Sequence, residues 1–242
     1  GWPEKTPDLM RFTPSSCLET GYDIQFFWVA RMILGTTYAL RKSGFSEEKS
    51  IPFKDVYLHS LIRDVHGKKM SKSRPETCID PLDMIEKYGT DAVRLSLVIG
   101  STAGNDMRLY EEKIAGYRNF VNKIWNGSRF VMLNLDDDDT INPATLSRAD
   151  KWILTRLNEI IGDVTDHLEN YRLSEAGLMV YDFFWGEYCD WYLEISKVQK
   201  NPAVLKHVLK TTLTLMHPFM PFVTEAIWGE LCPGTVLMAS DW

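Results

Sequence analysis

Residues Val56–Ser73 read VYLHSLIRDVHGKKMSKS. Their first seven residues, Val56–Ile62, are the β-branched, aromatic and leucine mixture of a strand. Arg63-Asp64-Val65-His66-Gly67 is then a turn, and Gly67–Ser73 sets Lys68, Lys69, Lys72, Ser71 and Ser73 around Met70. A loop of that composition is either a solvated surface segment or one that holds polyphosphate. Ammonium and hydroxyl groups are donors to phosphate oxygens, and glycine lets the backbone swing. The surrounding sequence decides between the two.

Upstream, Ser16–Thr20 (SCLET) reads as a short strand closed by Gly21. The run DIQFFWVARMILGTTYALRK from Asp23 predicts a mostly buried helix with Asp23 as its N-cap. Pro52 interrupts before the Val56–Ile62 strand. Strand, helix and strand at this spacing predict a parallel α/β unit. Both Gly21-Tyr22-Asp23 and the lysine loop then leave carboxyl ends of strands, where open α/β sheets bind their ligands.

Downstream the pattern turns helical. Pro81–Tyr88 and Thr90–Ile99 are short helices divided by Gly89, and residues 108–133 form a longer one with Ile114, Tyr117, Val121, Ile124 and Trp125 on its apolar face. Asp136–Asp139 is a charged divider. Ser147-Arg148-Ala149-Asp150 is a capping box opening a helix whose stripe is Ile153, Leu157, Ile160, Ile161, Val164 and Leu168. A further helix after Ser174 carries Val180, Phe184, Tyr188, Trp191 and Ile195, and its aromatic run FFWGEYCDWY (Phe183–Tyr192) reads as core. Asn201-Pro202 starts another helix, and Pro218 and Pro221 break it before the last. Short loops between amphipathic helices predict a bundle.

Composition removes other classes. With 27 basic against 33 acidic residues the net charge is −6, so an RNA partner requires a local basic patch. Cys17, Cys78, Cys189 and Cys232 are dispersed without a CxxC pair, and the five histidines form no HExxH pattern. We expect no structural metal and no disulfide framework, and a reducing, cytoplasmic setting. No window is apolar enough for a membrane span. The chain opens at Gly1-Trp2-Pro3 and stops at Ser240-Asp241-Trp242, and both ends read as cuts through a longer protein.

Lys69-Met70-Ser71-Lys72-Ser73 is identical to the KMSKS signature of class I aminoacyl-tRNA synthetases. Ile79-Asp80-Pro81, Tyr88-Gly89-Thr90-Asp91-Ala92-Val93-Arg94, Gly116-Tyr117-Arg118-Asn119-Phe120 and Lys123-Ile124-Trp125 resemble the Ile/Val/Leu branch of that class, and Thr20–Met32 (TGYDIQFFWVARM) resembles its valyl members. The resemblance spans essentially the whole chain. It implies an α/β then all-α architecture. Residues 1–80 are expected to be the second half of a Rossmann-type catalytic domain, 81–147 a stem-contact region, and 148–242 a helical-bundle anticodon-binding domain. The HIGH signature and an editing domain are expected upstream, and a coiled-coil arm downstream. The sequence departs from the family after Ser73, where Arg74-Pro75-Glu76-Thr77-Cys78 replaces the usual Leu-Gly-Asn-Val. Pro75 stiffens the exit of the loop and Glu76 brings a negative charge.

The implied reaction attacks the α-phosphate of ATP with the valine carboxylate, expels pyrophosphate and passes valine to tRNA(Val). Such chemistry needs positioning and charge stabilisation. Lys69 and Lys72 are the expected catalytic cations, Lys72 being the one tied most directly to ATP, with Ser71 and Ser73 adding hydroxyl donors. Gly21 and Asp23 are expected at the ATP ribose, and the backbone of Leu61 and Ile62 at adenine. By family analogy Ile24 and Trp28, four residues apart on one helix, wall the valine pocket. ATP is expected as its Mg2+ complex, and the full-length protein as a monomer. Two alternatives stay open, a non-catalytic tRNA-binding module and an isoleucyl-type synthetase.

Overall fold

The computed structural model describes residues 1–70, 78–136 and 140–242. It divides into two compact units, one of Gly1–Ile62 with Ser101–Met107, the other of Arg63–Gly100 with Arg108–Trp242. Arg74-Pro75-Glu76 and Asp137–Asp139 lie outside the described residues.

The first unit runs α1 (Pro7–Phe12), β1 (Ser15–Gly21), a 3-10 turn (Tyr22–Ile24), α2 (Gln25–Lys42), α3 (Glu47–Ser50) and β2 (Phe53–His59). β1 and β2 pair in parallel, Ser15 opposite Phe53 and Gly21 opposite His59. The expected strand–helix–strand unit is therefore present. Its second strand differs in extent: β2 starts and ends three residues before the Val56–Ile62 expectation, and a separate β3 (Ile62–Arg63) follows. Ser60 makes the break, because its hydroxyl donates to the Thr102 carbonyl (3.1 Å) and accepts from the Thr102 N–H (3.2 Å). β3 pairs with β4 (Met107–Arg108).

α2 departs from expectation in two ways. Ile24, not Asp23, occupies its N-cap position, and no side chain caps it. The helix is also mostly exposed, with only Val29 and Leu40 buried while Phe26, Phe27, Trp28, Leu34 and Tyr38 face outward. Two strands about 4.8 Å apart make a face no wider than a helix of about 10 Å, so one narrow stripe is all they can cover.

The second unit is helical. It holds α4 (Pro81–Tyr88), α5 (Thr90–Val98), α6 (Glu111–Met132), α7 (Arg148–Glu169), α8 (Leu173–Asp182), a π-helical segment (Phe183–Leu193), α9 (Glu194–Ser196), α10 (Pro202–Met216) and α11 (Pro221–Leu231). Local chemistry sets these starts. Asp80 accepts from the Leu82 N–H ahead of Pro81, and Asn201 accepts from the Val204 N–H ahead of Pro202. Ser147 and Asp150 close the predicted capping box reciprocally. Gly89, at φ +88°, turns the chain between α4 and α5.

Phe120, Ile124, Ile153, Leu157, Phe184, Tyr188, Leu205 and Leu209 are fully buried in one core. Each such side chain contributes about 1.5–3 kcal/mol relative to exposure. Two expected core residues lie outside it. Trp125 and Trp191 are 48% and 65% exposed, and Phe120 and Tyr192 are buried instead. For Trp191 the cause is the π-helical segment: i→i+5 pairing turns less per residue, so Phe184, Tyr188 and Tyr192 stay in line.

Candidate functional site

The first unit places Gly21 and Asp23 together. Gly21 ends β1 and is buried, and a Cβ at this position would meet the Asp23 Oδ1 at 2.9 Å and the His59 Nε2 at 3.5 Å. Glycine thus lets the exposed Asp23 carboxylate fold back over the carboxyl end of the parallel pair. That end is held by Tyr22, whose hydroxyl donates to Asp106 Oδ1 (2.7 Å), and by His59, whose Nδ1 lies 3.0 Å from the Ser60 carbonyl. An acceptor-only carboxylate above a strand end suits sugar hydroxyls.

Leu61 has already spent its carbonyl on the Met107 N–H (2.9 Å). The peptide groups of Ile62 fall on the other edge of β3, since bonded residues alternate along a ladder. Ile24 and Trp28 remain four residues apart and are 37% and 54% exposed. The shallow depression on α2 is lined by Gln25, Phe26, Val29, Ala30 and Ile33, so it uses neither of them.

In the second unit, Asp64 organises the base of the lysine loop. It is 7% exposed, and its Oδ1 accepts from the His66 N–H (2.9 Å) and the Lys68 N–H (2.7 Å). The Lys68 N–H holds the Asp64 carboxyl below its ordinary value of 3.8, with burial opposing and the His66 N–H assisting. The Asp64 N–H donates to the Lys68 carbonyl, the Gly67 N–H to the Asp64 carbonyl, and Lys69 bridges Arg63 in antiparallel fashion. Gly67 sits at φ +77°, which any side chain would resist, and a Cβ there would lie 3.5 Å from the Arg108 guanidinium. Lys68 and Lys69 therefore leave a pinned turn as exposed cations. Ser71, Lys72 and Ser73 lie outside the described residues.

Beside this turn is a groove of about 510 Å3 lined by Met70, Ile79, Met84 and Leu109 with Asp80, Asp83 and Glu111. Glu111 is occupied by Lys87 and by the Tyr88 hydroxyl (2.7 Å). An acidic lining repels phosphate, so the groove itself does not suit a polyphosphate. The sequence marks Arg63–Gly67 as a turn without singling out Asp64, although an Asp three residues before a Gly is a turn signal. It offers no means of finding Arg108, which joins the turn only through the fold. No group of His, Cys, Asp and Glu side chains among the described residues is arranged to hold a metal ion. No described helix is long and apolar enough to cross a membrane.

A family model described as tRNA synthetases class I (I, L, M and V) matches residues 1–110, and one described as the anticodon-binding domain of tRNA ligase matches residues 150–242. The chain belongs to the class I aminoacyl-tRNA synthetases. It is 50% identical, over 97% of its length, to a valine–tRNA ligase of Geobacter sulfurreducens and covers 27% of that protein. It is 48% identical, over its whole length, to one from Pseudothermotoga lettingae and covers 28% of it. The chain thus spans about a quarter of the length of these curated relatives. Among solved structures it resembles a LeuRS–tRNA–LeuAMS ternary complex from Agrobacterium radiobacter K84, with a TM-score of 0.81 and 22% identity over 96% of this chain and 29% of that one. It also resembles methionyl-tRNA synthetase of Mycobacterium tuberculosis bound by methionyl-adenylate, with a TM-score of 0.71 and 21% identity over 94% and 46% of the two chains. At those identities the likeness concerns the fold.

Proposed function

We propose that this chain is the part of a valine–tRNA ligase that carries the KMSKS loop and the anticodon-binding bundle. The complete protein activates valine with ATP and Mg2+ to valyl-adenylate and transfers it to tRNA(Val). The observation that carries this reading is the near 50% identity to valine–tRNA ligases along the whole chain. The pinned Asp64–Lys68 turn supports it, because a phosphate loop needs a fixed hinge beneath mobile cations.

In this reading Lys69 and Lys72 follow the leaving pyrophosphate, and Ser71 and Ser73 donate to its oxygens. Asp23, above Gly21, accepts from the ribose hydroxyls, and Leu61 and Ile62 flank adenine. Ile24 and Trp28, with exposed apolar surface, wall the valine side chain. Residues 1–80, 81–147 and 148–242 divide the work between catalysis, stem contact and anticodon contact. The full-length protein acts as a monomer in the cytoplasm.

Valine-dependent ATP–pyrophosphate exchange by the full-length protein tests the reading. Exchange is expected with valine well above isoleucine. Lys72→Ala is expected to lower it by ~10²–10³, the scale of losing one preorganised electrostatic contact. Isoleucine-dependent exchange exceeding that with valine, or no exchange at all, defeats the proposal.

A further inference from the structure

Arg108 stands on β4 between two buried residues, Met107 and Leu109, so the two-residue period of a strand turns its side chain to the exposed face. Its backbone is fixed against the lysine-loop turn. The Met107 N–H donates to the Leu61 carbonyl and the Leu109 N–H to the Arg63 carbonyl, both at 2.9 Å, and Asp64 follows directly. A cation is thereby mounted on a strand beside the turn from which Lys68 and Lys69 emerge.

The direction of the guanidinium is specific. The spot that a Cβ on Gly67 would occupy is 3.5 Å from Arg108 Nε and 3.5 Å from Arg108 Nη2, with Cζ behind them at 3.8 Å. Two equidistant nitrogens in front of their carbon mean that the Nε–Nη2 edge faces that spot. This edge is a fork that grips two oxygens of one phosphate. Gly67 thus accepts φ +77° and also keeps the mouth of the fork clear of a side chain. Among the described residues Arg108 has no carboxylate partner, such as Arg156 has in Glu187 (2.7 Å) and Arg172 in Asp166 (2.6 Å). The nearby Asp64 spends its Oδ1 on the His66 and Lys68 N–H groups instead.

We propose that Arg108 is a further catalytic residue of the activation step, gripping the pyrophosphate moiety of ATP while the lysines of the loop supply the rest of the positive charge. The inference rests on the proposed function for its substrate and adds a residue to it. In that step a valine carboxylate oxygen bonds to the α-phosphorus. The bond from that phosphorus to the oxygen bridging it to the β-phosphorus breaks, and its electron pair leaves with pyrophosphate. No proton moves. Negative charge therefore grows on the leaving group, and a guanidinium held by a strand needs no rearrangement to meet it. Arginine suits this place better than lysine, because a point charge does not match two oxygens at once.

The test measures valine-dependent ATP–pyrophosphate exchange by the full-length protein as wild type, Arg108→Met and Arg108→Lys. Methionine keeps an unbranched stem and drops the charge, whereas lysine keeps the charge and drops the fork. Arg108→Met is expected to lower exchange about 10²-fold, the low end for one preorganised contact because the site is open to solvent. The loss should appear as a lower kcat and a raised KM for pyrophosphate, with KM for valine unchanged. Arg108→Lys should recover half of this loss on a logarithmic scale, leaving exchange about tenfold below wild type. The thermal midpoint of the helical signal should hold in both variants. Transfer from preformed valyl-adenylate to a tRNA(Val) transcript should hold as well, since pyrophosphate has already left. Wild-type exchange in Arg108→Met overturns the proposal. A loss confined to transfer overturns it too, because the guanidinium then serves a tRNA phosphate. So does a fall in thermal midpoint, or an equal rise in KM for valine and pyrophosphate, either of which makes Arg108 a support of the fold. Wild-type protein that exchanges with valine while both variants match it overturns only this residue, whereas wild-type protein without valine-dependent exchange overturns the functional reading itself.

Discussion

Phe27 on α2 and Phe184 in the π-helical segment are the same residue type in similar apolar helical runs, yet one is 61% exposed and the other is fully buried. A hydrophobic pattern states which face of a helix requires cover. It does not state that the cover lies among these residues. In the first unit a two-stranded sheet covers a single stripe of α2, whereas in the second several helices meet around Phe120, Phe184 and Tyr188. Stability therefore concentrates in the second unit, and the first carries Asp23 above Gly21 on a lightly supported frame.

The sharpest way to break that contrast is a pair of truncations. Phe184→Ala should cost about 3–5 kcal/mol, because the transfer loss is joined by a cavity. Phe27→Ala should stay within about 0.5 kcal/mol, as surface substitutions do. Chemical denaturation followed by helical circular dichroism measures both. A loss at Phe27 matching that at Phe184 would mean that the outer face of α2 is packed.

Next in size is Tyr192→Phe. The Tyr192 hydroxyl donates to the buried Asp150 at 2.5 Å, and Asp150 also accepts from Asn201 Nδ2 (3.1 Å) and the Ser147 N–H (2.9 Å). Removing one hydrogen bond to a buried charge should cost about 1.5–3 kcal/mol. A cost under about 0.5 kcal/mol in the same denaturation experiment would show that the remaining two donors satisfy the carboxylate.

The legibility of the chain follows the range of the forces involved. Capping is local, so Ser147-Asp150 and Asn201-Pro202 were readable as helix starts and stand where expected. The parallel strand–helix–strand unit was readable for the same reason, from alternating composition and spacing. What failed depends on neighbours or on unusual pitch. Asp23 has the composition of a cap but turns back over Gly21, and Trp191 fits a 3.6-residue stripe that the π-helical segment does not follow. Asp64 was hidden because a carboxylate in a turn looks solvated until its two backbone donors are seen. The sequence could name the loop's lysines but not the residue that fixes their base.

Asp64→Ala is the corresponding smaller effect. It leaves the His66 and Lys68 N–H groups without their acceptor and should loosen the turn locally. The bundle should be unaffected, so the thermal midpoint of the helical signal should hold while valine-dependent exchange in the full-length protein falls about tenfold. Asp64→Asn, which keeps a carbonyl acceptor, should restore most of the rate. Equal losses for both variants would indicate that the charge matters and not the turn.

The smallest expected effect is a pair of opposite pH dependences inside the second unit. Asp91 accepts from the Phe222 N–H (3.2 Å) and the Val223 N–H (2.6 Å) at the start of α11. Burial pushes its carboxyl above the ordinary 3.8, with those two donors opposing. The folded state then holds this proton more tightly than the unfolded state, so the Asp91 contribution weakens as pH rises from 3.8 towards the raised value. Asp150 runs the other way. Burial raises it too, but Tyr192, the Ser147 N–H and Asn201 outweigh burial and leave it below 3.8. Its contribution is present above pH 3.8 and is lost as pH falls beneath that value. Thermal midpoints of the helical signal between about pH 3 and 6 should therefore change slope in opposite senses in Asp91→Asn and Asp150→Asn, by a few degrees at most. Asp91→Asn should remove a destabilising slope on the alkaline side of 3.8, and Asp150→Asn a stabilising one on the acid side. Identical pH profiles in the two variants would contradict the assignment, because one carboxylate is held charged by its donors and the other is carried charged against burial.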